Sequence, residues 1–443
     1  MTIATPSLDY DEALAALSDR GRFGIRMGLG RTHALLRELG DPHLTIRGAL
    51  VAGTNGKGSV LALASSALRA AGLRVGETPK PHLVSYRERI VVDGQPIPVD
   101  DFVRHVTAVL AVADRVARRH GEPTEFELLT AVVFAHFATA QLDLALVEVG
   151  LGGRLDATNV WDGGVAVVTN VDLDHMDRLG PTIGHIAREK AAIIKRGDRA
   201  VTGTSGEALA IVRRRARRLE VPLQVVAPAP LIDWDRDGLT VDLPNLGPTR
   251  VGLRGRHQAA NVAVADGLLD ALDAAGIAGV PEAARRDGYE RATWPGRLEV
   301  LAVDGRDVVL DGAHNPAGAA ALAVALDDLR PFLANPDAPV TLVTAAMADK
   351  DVDGVIEALA HATALRGATI VATQVDVPRA MPAAVLAARW SSVAGDRVGR
   401  IQAVTDAEGA LAVASDTGSG PIVVAGSLYL VGAVRAVLVD GPT

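Results

Sequence analysis

Short β-branched apolar runs alternate with alanine-rich stretches of helical period through most of the 443 residues. Gly48–Val51, Leu144–Val149, Val165–Thr169, Val308–Leu310, Val340–Thr344, Ala368–Ala372 and Ile422–Ala425 read as strands. Apolar runs of this length, without polar alternation, suit strands covered on both faces. Helical patterns at Ser59–Ala71, Pro316–Leu329 and Val352–Ala362 follow strands, which predicts an α/β protein with mostly parallel sheets. A polar stretch interrupted by glycine and proline, Ala227–Arg250, breaks the rhythm and predicts a small antiparallel excursion. Turn residues in Arg291–Gly296 mark a linker. The boundary is placed there, giving domains 1–296 and 297–443.

Composition narrows the chemistry. With 49% apolar residues the chain can bury a large core. The absence of cysteine excludes disulfides, thiolate zinc sites and a cysteine nucleophile. A net charge of −8 argues against a nucleic-acid partner. The apolar run Pro421–Val434 is shorter than the roughly 20 residues that span a bilayer. The N-terminus lacks a signal-peptide pattern. A cytoplasmic protein without a membrane partner is expected. Of 45 basic residues only five are lysines: Lys57, Lys80, Lys190, Lys195 and Lys350. An amine can lose its proton and a guanidinium cannot, so these positions invite inspection.

The first strand runs into Gly53-Thr54-Asn55-Gly56-Lys57-Gly58-Ser59 and then a helix. Glycines let backbone N–H groups curl around an anion, the helix N-terminus adds its dipole, and Lys57 adds a charge for phosphate oxygens. Ser59 could ligate Mg²⁺. The strict Walker spacing is absent, because Gly58 separates lysine from serine. Strand, loop and helix together favour nucleotide binding over an ordinary glycine-rich turn. The fold class is therefore a P-loop-type, mostly parallel sheet domain plus a smaller Rossmann-like α/β C-terminal domain.

Glu148 closes an otherwise apolar strand, where ligands of α/β proteins bind. It reads as a Mg²⁺ ligand, with pairing to Arg154 as the alternative. His175, after the strand Val165–Thr169, is as readily a capping residue as a metal ligand. Lys190 shares a helical stripe with Ile183, Ile186, Ala187 and Ile194. Burial would lower its pKa, and a neutral amine can take up CO₂ to give an anionic carbamate. On the residues alone a snorkelling or ion-paired lysine is the stronger reading. In the C-terminal half Asp311 ends a strand, followed by Gly312-Ala313-His314-Asn315-Pro316. There Asn315 and Pro316 suit a helix start.

These segments resemble the Mur ligase superfamily, and within it the folylpolyglutamate synthase/dihydrofolate synthase family. The similarity rests on GTNGKGS from Gly53, PHLVSYRERI from Pro81 and TEFELLTAVVF from Thr124. It continues with EVGLGGRLDATN from Glu148, DLDHMDRLGPTIGHIAREKAAIIKRG from Asp172 and LRGRHQAANVAVA from Leu253. PGRLEVL from Pro295, DGAHNPAG from Asp311, DKD from Asp349, PRAMP from Pro378 and GSLYLVG from Gly426 complete an ordered set.

The resemblance implies an ATP-dependent ligase that joins L-glutamate to folate or dihydropteroate through an acyl phosphate, acting as a monomer. Gly53 to Ser59 would hold ATP, with Asn261, Arg297 and Asp311 also on the nucleotide. Ser59, Glu148, His175 and an N-carboxylated Lys190 would hold Mg²⁺. Lys57, Lys190, His175 and His314 would be catalytic, His314 contacting phosphate or the incoming amino acid. Arg26, Met27, Gly28, Leu29, Thr124, Glu125, Phe126, Glu127, Leu155, Asp156 and Ala157 would line the pterin site. Lys80 departs from the pattern: the family commonly has a metal-binding serine there, and an ammonium cannot ligate a cation. Lys80 would neutralise phosphate, meet a substrate carboxylate or point outward. The rival readings are another Mur-type amino-acid ligase and a nucleotide-binding regulator without activity.

Overall fold

The computed structural model describes residues 8–24 and 26–439. The chain forms two compact units, one of residues up to Pro228 with Ala260–Tyr289, the other of Ala229–Ala259 with the chain from Glu290 onward.

The first unit is built on eight strands: β1 Gly48–Ala52, β2 Val75–Thr78, β3 Val91–Val92, β4 Gln95–Pro96, β5 Leu144–Glu148, β6 Gly164–Val168, β7 Arg199–Thr202 and β8 Leu223–Val225. Their order is β4-β3-β2-β5-β1-β6-β7-β8. All neighbours run parallel except the short β3–β4 hairpin and its junction with β2. The central strands β1 and β5 are buried along their whole length, as their unbroken apolar sequences require. Val51 is in register with Glu148 and Ala52 with Val168, so three strands end level beside the loop that follows β1. The helix Lys57–Ala70 buries every residue from Ser59 to Leu68. Helices Val99–His120 and Glu125–Thr139 build a further layer around Phe102, Phe134, Phe137 and Trp161. Each such side chain contributes roughly 1.5–3 kcal/mol on burial. The Trp161 indole also donates to the Ile46 carbonyl at 3.0 Å, so no polar group is stranded there.

The second unit combines an antiparallel sheet, β9 Leu231–Asp235, β10 Gly238–Leu243 and β11 Gly247–Val251, with a six-stranded sheet. The larger sheet holds β12 Glu299–Val303, β13 Arg306–Leu310, β14 Thr341–Thr344, β15 Thr369–Ala372, β16 Ile401–Ala403 and β17 Ile422–Ala425, in the order β12-β13-β17-β14-β15-β16. Only β12 is antiparallel to its neighbour.

The antiparallel excursion expected near 227–250 is present, but residues 229–259 pack with the C-terminal unit rather than within 1–296. Ion pairs fasten it there: Arg256 meets Asp328, and Arg236 meets Asp307. Arg236 donates from Nη1 and Nη2 to the two oxygens of Asp307, at 2.5 and 2.6 Å. Asp307 is 1% exposed and also accepts the Ala334 N–H at 2.6 Å. A bidentate guanidinium on a buried carboxylate fixes orientation as well as distance. Among the described residues no helix is long and apolar enough to cross a membrane.

Candidate functional site

The loop after β1 is shaped from both sides. Gly56 has φ +80°, and a Cβ there would lie 2.3 Å from Asn261 Oδ1. A Cβ on Gly53 would lie 1.8 Å from Thr169 Oγ1. Only glycine meets both demands, of backbone and of space. Thr169 Oγ1 donates to the Asn55 carbonyl at 2.7 Å, Asn170 Oδ1 accepts the Asn55 N–H at 2.8 Å, and the Asn170 carbonyl accepts the Thr54 N–H at 3.1 Å. The polar residues just past the end of β6 therefore hold the loop open. Thr169 and Asn170 were not singled out from sequence; their position after a buried strand was the available signal.

Lysines converge on this loop. Lys57 Nζ donates to the carbonyls of Gly53 and Thr54 at 3.0 and 3.1 Å and lies 3.8 Å from Glu148 Oε1. Lys190, 5% exposed, donates to the same Gly53 carbonyl at 2.8 Å. Burial, and then the Lys57 charge, bring its pKa down to about 7 against the pull of Asp174 and Asp156. Its helix, Ile183–Ala191, is capped by Thr182, which accepts the His185 N–H, so it begins two residues after Pro181. Ser59 is buried in the first turn of the helix Lys57–Ala70.

Glu148 is 3% exposed at the end of β5. Arg154, its alternative partner, pairs with Glu189 at 2.9 Å instead. Glu148 Oε2 accepts the main-chain N–H of Lys80 at 3.0 Å, and Lys80 Nζ donates back to the Glu148 carbonyl at 2.5 Å. The Lys80 ammonium also sits 4.6 Å from the centroid of the Phe126 ring. Burial lowers its pKa to about 8, while the charges of Asp156 and Glu148 oppose that shift. His175 adopts φ 50° at the start of the short helix Met176–Leu179. Its side chain is 44% exposed, with Nε2 3.9 Å from Asp174 Oδ2.

The expected pterin residues form a neighbouring wall. Thr124 and Glu127 make a capping box for the helix Glu125–Thr139. Glu127 accepts Arg31 Nε on both oxygens, at 3.0 and 2.9 Å, and Arg31 also donates to the Arg26 carbonyl at 3.0 Å. The Glu127 carboxylate is thereby committed to holding segment 26–31 in place. Glu125 accepts the Tyr86 hydroxyl at 2.6 Å, which pushes the Tyr86 pKa up to about 12, with burial the larger cause. Asp156 Oδ2 accepts the Leu151 N–H at 2.8 Å, and its Oδ1 accepts the Thr158 N–H at 3.0 Å. The segments of Leu155 and Gly28 meet through an N–H···O contact of 3.5 Å. Ala157 is buried, while Arg26 and Met27 are exposed and Leu29 is half-buried. Arg89 Nε donates to His82 Nδ1 at 2.7 Å, so burial and the Arg89 charge hold His82 down near pKa 4. Arg31, Tyr86 and Arg89 were missed as individual site residues.

In the second unit Asp311 Oδ2 accepts the Leu298 N–H at 2.9 Å and its Oδ1 the Ala313 N–H at 2.8 Å. A Cβ on Gly312 would lie 2.6 Å from Arg297 Nη1, so the guanidinium lies over the segment that Asp311 organises. His314 Nδ1 is 2.8 Å from the Gly312 carbonyl. A carbonyl only accepts, so Nδ1 carries the proton in the neutral ring and Nε2 is the basic nitrogen.

Glu148 and Ser59 are oxygen donors of the kind Mg²⁺ takes. Among the described residues no three His, Asp or Glu side chains form a metal cage.

Comparison with known proteins agrees with this geometry. Residues 51–269 match the Mur ligase middle domain, and residues 298–437 match the C-terminal domain of dihydrofolate synthetase. A dihydrofolate synthase/folylpolyglutamate synthase of Bacillus subtilis is 37% identical over 367 residues, covering 80% of this chain and 84% of that protein. The folylpolyglutamate synthase of Mycobacterium tuberculosis, solved with ADP and AMPPCP, superposes with a TM-score of 0.86 at 32% identity, over 98% of this chain and 100% of the other. The bifunctional enzyme of Yersinia pestis, solved with AMPPNP and a manganese ion, gives 0.82 at 28% identity, over 98% and 99%. A loop built for phosphate, a carboxylate and two lysines set around it, and similarity along nearly the whole chain place this protein in the folylpolyglutamate synthase/dihydrofolate synthase family of the Mur ligase superfamily.

Proposed function

We propose that the chain joins L-glutamate to folates, and to dihydropteroate, at the expense of ATP. The observation that carries this reading is the convergence of Lys57 and Lys190 on the Gly53 carbonyl, beside Glu148. A carboxylate resists nucleophiles because of its charge. Attack of the acceptor carboxylate on the γ-phosphorus expels ADP and makes an acyl phosphate. The glutamate amine then attacks the acyl carbon, the C–O bond breaks, phosphate leaves and the amine sheds a proton.

Phosphoryl transfer of this kind needs positioning and charge more than covalent help. Lys57 and the N–H groups of Gly56 to Ser59 bind the phosphates. Ser59 and Glu148 are the residues for Mg²⁺, which would neutralise charge on the β- and γ-oxygens. His175 and an N-carboxylated Lys190 are the residues for a second ion. Thr124, Phe126, Leu155, Asp156 and Ala157, with segment 26–29, hold the pterin. Asn261, Arg297 and Asp311 serve the nucleotide, and His314 the leaving phosphate or the incoming amine. The first unit would carry ATP and pterin, and the second would serve glutamate addition in a cytoplasmic monomer.

ADP release is the direct test. It is expected to rise with dihydropteroate or a reduced folate plus glutamate. Release stimulated only by a UDP-sugar acceptor, or by none, would overturn the assignment in favour of another Mur-type ligase or of a regulator.

A further inference from the structure

Lys80 touches both halves of the site in the first unit. Its main-chain N–H holds Glu148 Oε2 at 3.0 Å, and its ammonium holds the Glu148 carbonyl at 2.5 Å. The same ammonium lies over the Phe126 face at 4.6 Å. Glu148 ends β5 beside the phosphate loop, whereas Phe126 lies in the first turn of the helix Glu125–Thr139, which precedes β5, and in the expected pterin wall. Thr78, Lys80, Arg89, Phe126, Thr130 and Thr158 line one pocket here. A fixed cation held by a carbonyl and a ring resists displacement of either partner, because moving one loses a charge-assisted hydrogen bond and moving the other a cation–π contact.

Resting on the ligase reading above, we infer that Lys80 is a positioning residue that couples acceptor binding to occupancy of the phosphate site, acting through Phe126 on one side and Glu148 on the other. An acceptor that fixes the Phe126 ring fixes the ammonium, and the ammonium fixes the end of β5. Coupling is reciprocal by thermodynamic necessity, so Mg²⁺ with nucleotide tightens acceptor binding by the same factor. Loss of the ammonium leaves both half-sites in place and uncouples them.

Calorimetric binding of dihydropteroate, with and without Mg²⁺ and the β,γ-imido analogue of ATP, tests this on the whole chain without turnover. The wild-type protein is expected to bind acceptor about tenfold more tightly when the analogue and Mg²⁺ are present. In Lys80→Met that ratio is expected to fall to about twofold or less, with affinity for the analogue alone changed less than about threefold. Lys80→Gln, which keeps a donor for the Glu148 carbonyl without the charge, should behave alike and serves if the methionine variant fails to fold. A wild-type ratio near one, or a ratio that survives in the variants, overturns the inference while leaving the ligase reading standing. A wild-type protein that binds neither dihydropteroate nor folate overturns both.

Discussion

The two units use their cations differently. Around the phosphate loop of the first unit the cations are lysines bonded to main-chain carbonyls, Lys57 and Lys190 to Gly53 and Lys80 to Glu148. In the second unit the antiparallel insert is fastened by an arginine whose fork is matched to a carboxylate. A chain with 40 arginines and five lysines could have used arginine throughout. A guanidinium on a buried aspartate is a finished structure with nothing left to give. An amine on a carbonyl keeps further donors for a ligand and can lose its proton. Here arginine on a buried carboxylate serves architecture, whereas lysine on main-chain carbonyls surrounds the phosphate loop. Lys195 qualifies that contrast, since its Nζ donates to Asn159 Oδ1 and the Trp161 carbonyl, both at 2.8 Å, and simply ties down a loop.

The contrast breaks first at Lys57. Lys57→Ala is expected to lower the rate of acceptor-dependent ADP release about 10³-fold, and Lys57→Arg should recover little despite its charge, measured by steady-state kinetics. Lys190→Ala comes next, with a loss of roughly 10²-fold that short carboxylic acids partly restore. ¹³C-bicarbonate NMR should show a carbamate resonance in the wild type that this variant lacks. Full activity in Lys190→Ala would remove the residue from the mechanism.

On the architectural side, Arg236→Ala strands a buried carboxylate. It is expected to cost about 2–4 kcal/mol in denaturant unfolding, discounted because Arg236 is one-third exposed, with nucleotide affinity unchanged. The smallest effect is acid sensitivity. His105 and His136 stack edge to face at 5.3 Å in the helical layer of the first unit. Burial is the main cause of both lowered pKa values, with His105 near 4. The unfolded chain takes up protons that the folded one refuses, so stability present above about pH 6.5 is lost as pH falls toward 4. The loss is on the order of 2 kcal/mol, and it should vanish in His105→Gln/His136→Gln. Asp307 is held below the usual carboxylate range by Arg236, so its contribution is lost only below about pH 3.8. Melting curves against pH should therefore show the first unit yielding at higher pH than the second.

Much of this was legible in the chain itself, wherever a single period or position carried the signal. Unbroken apolar runs gave β1, β5, β6, β13, β14, β15 and β17 to within a residue or two. Glu148 stood out as a charge ending such a run, and Lys190 as a charge on an apolar stripe. What lacked a local signal stayed hidden. β2 reads Val-Gly-Glu-Thr, and the β3–β4 hairpin has two residues a side, so neither shows a pattern. Residues 229–259 are tied to the second unit by long-range pairs such as Arg236 with Asp307, 71 positions away, and no spacing announces such partners. Glu127 is spent on Arg31, 96 positions away, for the same reason. Lys80 was conspicuous as a type, yet its hold on Glu148 and Phe126 exists only in three dimensions.

The ligase assignment is tested most directly by mass spectrometry of the products after incubation with ATP, Mg²⁺, L-glutamate and either dihydropteroate or a reduced folate. Acceptor heavier by one glutamyl residue, formed together with ADP and absent with Lys57→Ala, is the expected result. Unmodified acceptor in every mixture, with the nucleotide bound and the protein folded, would contradict it.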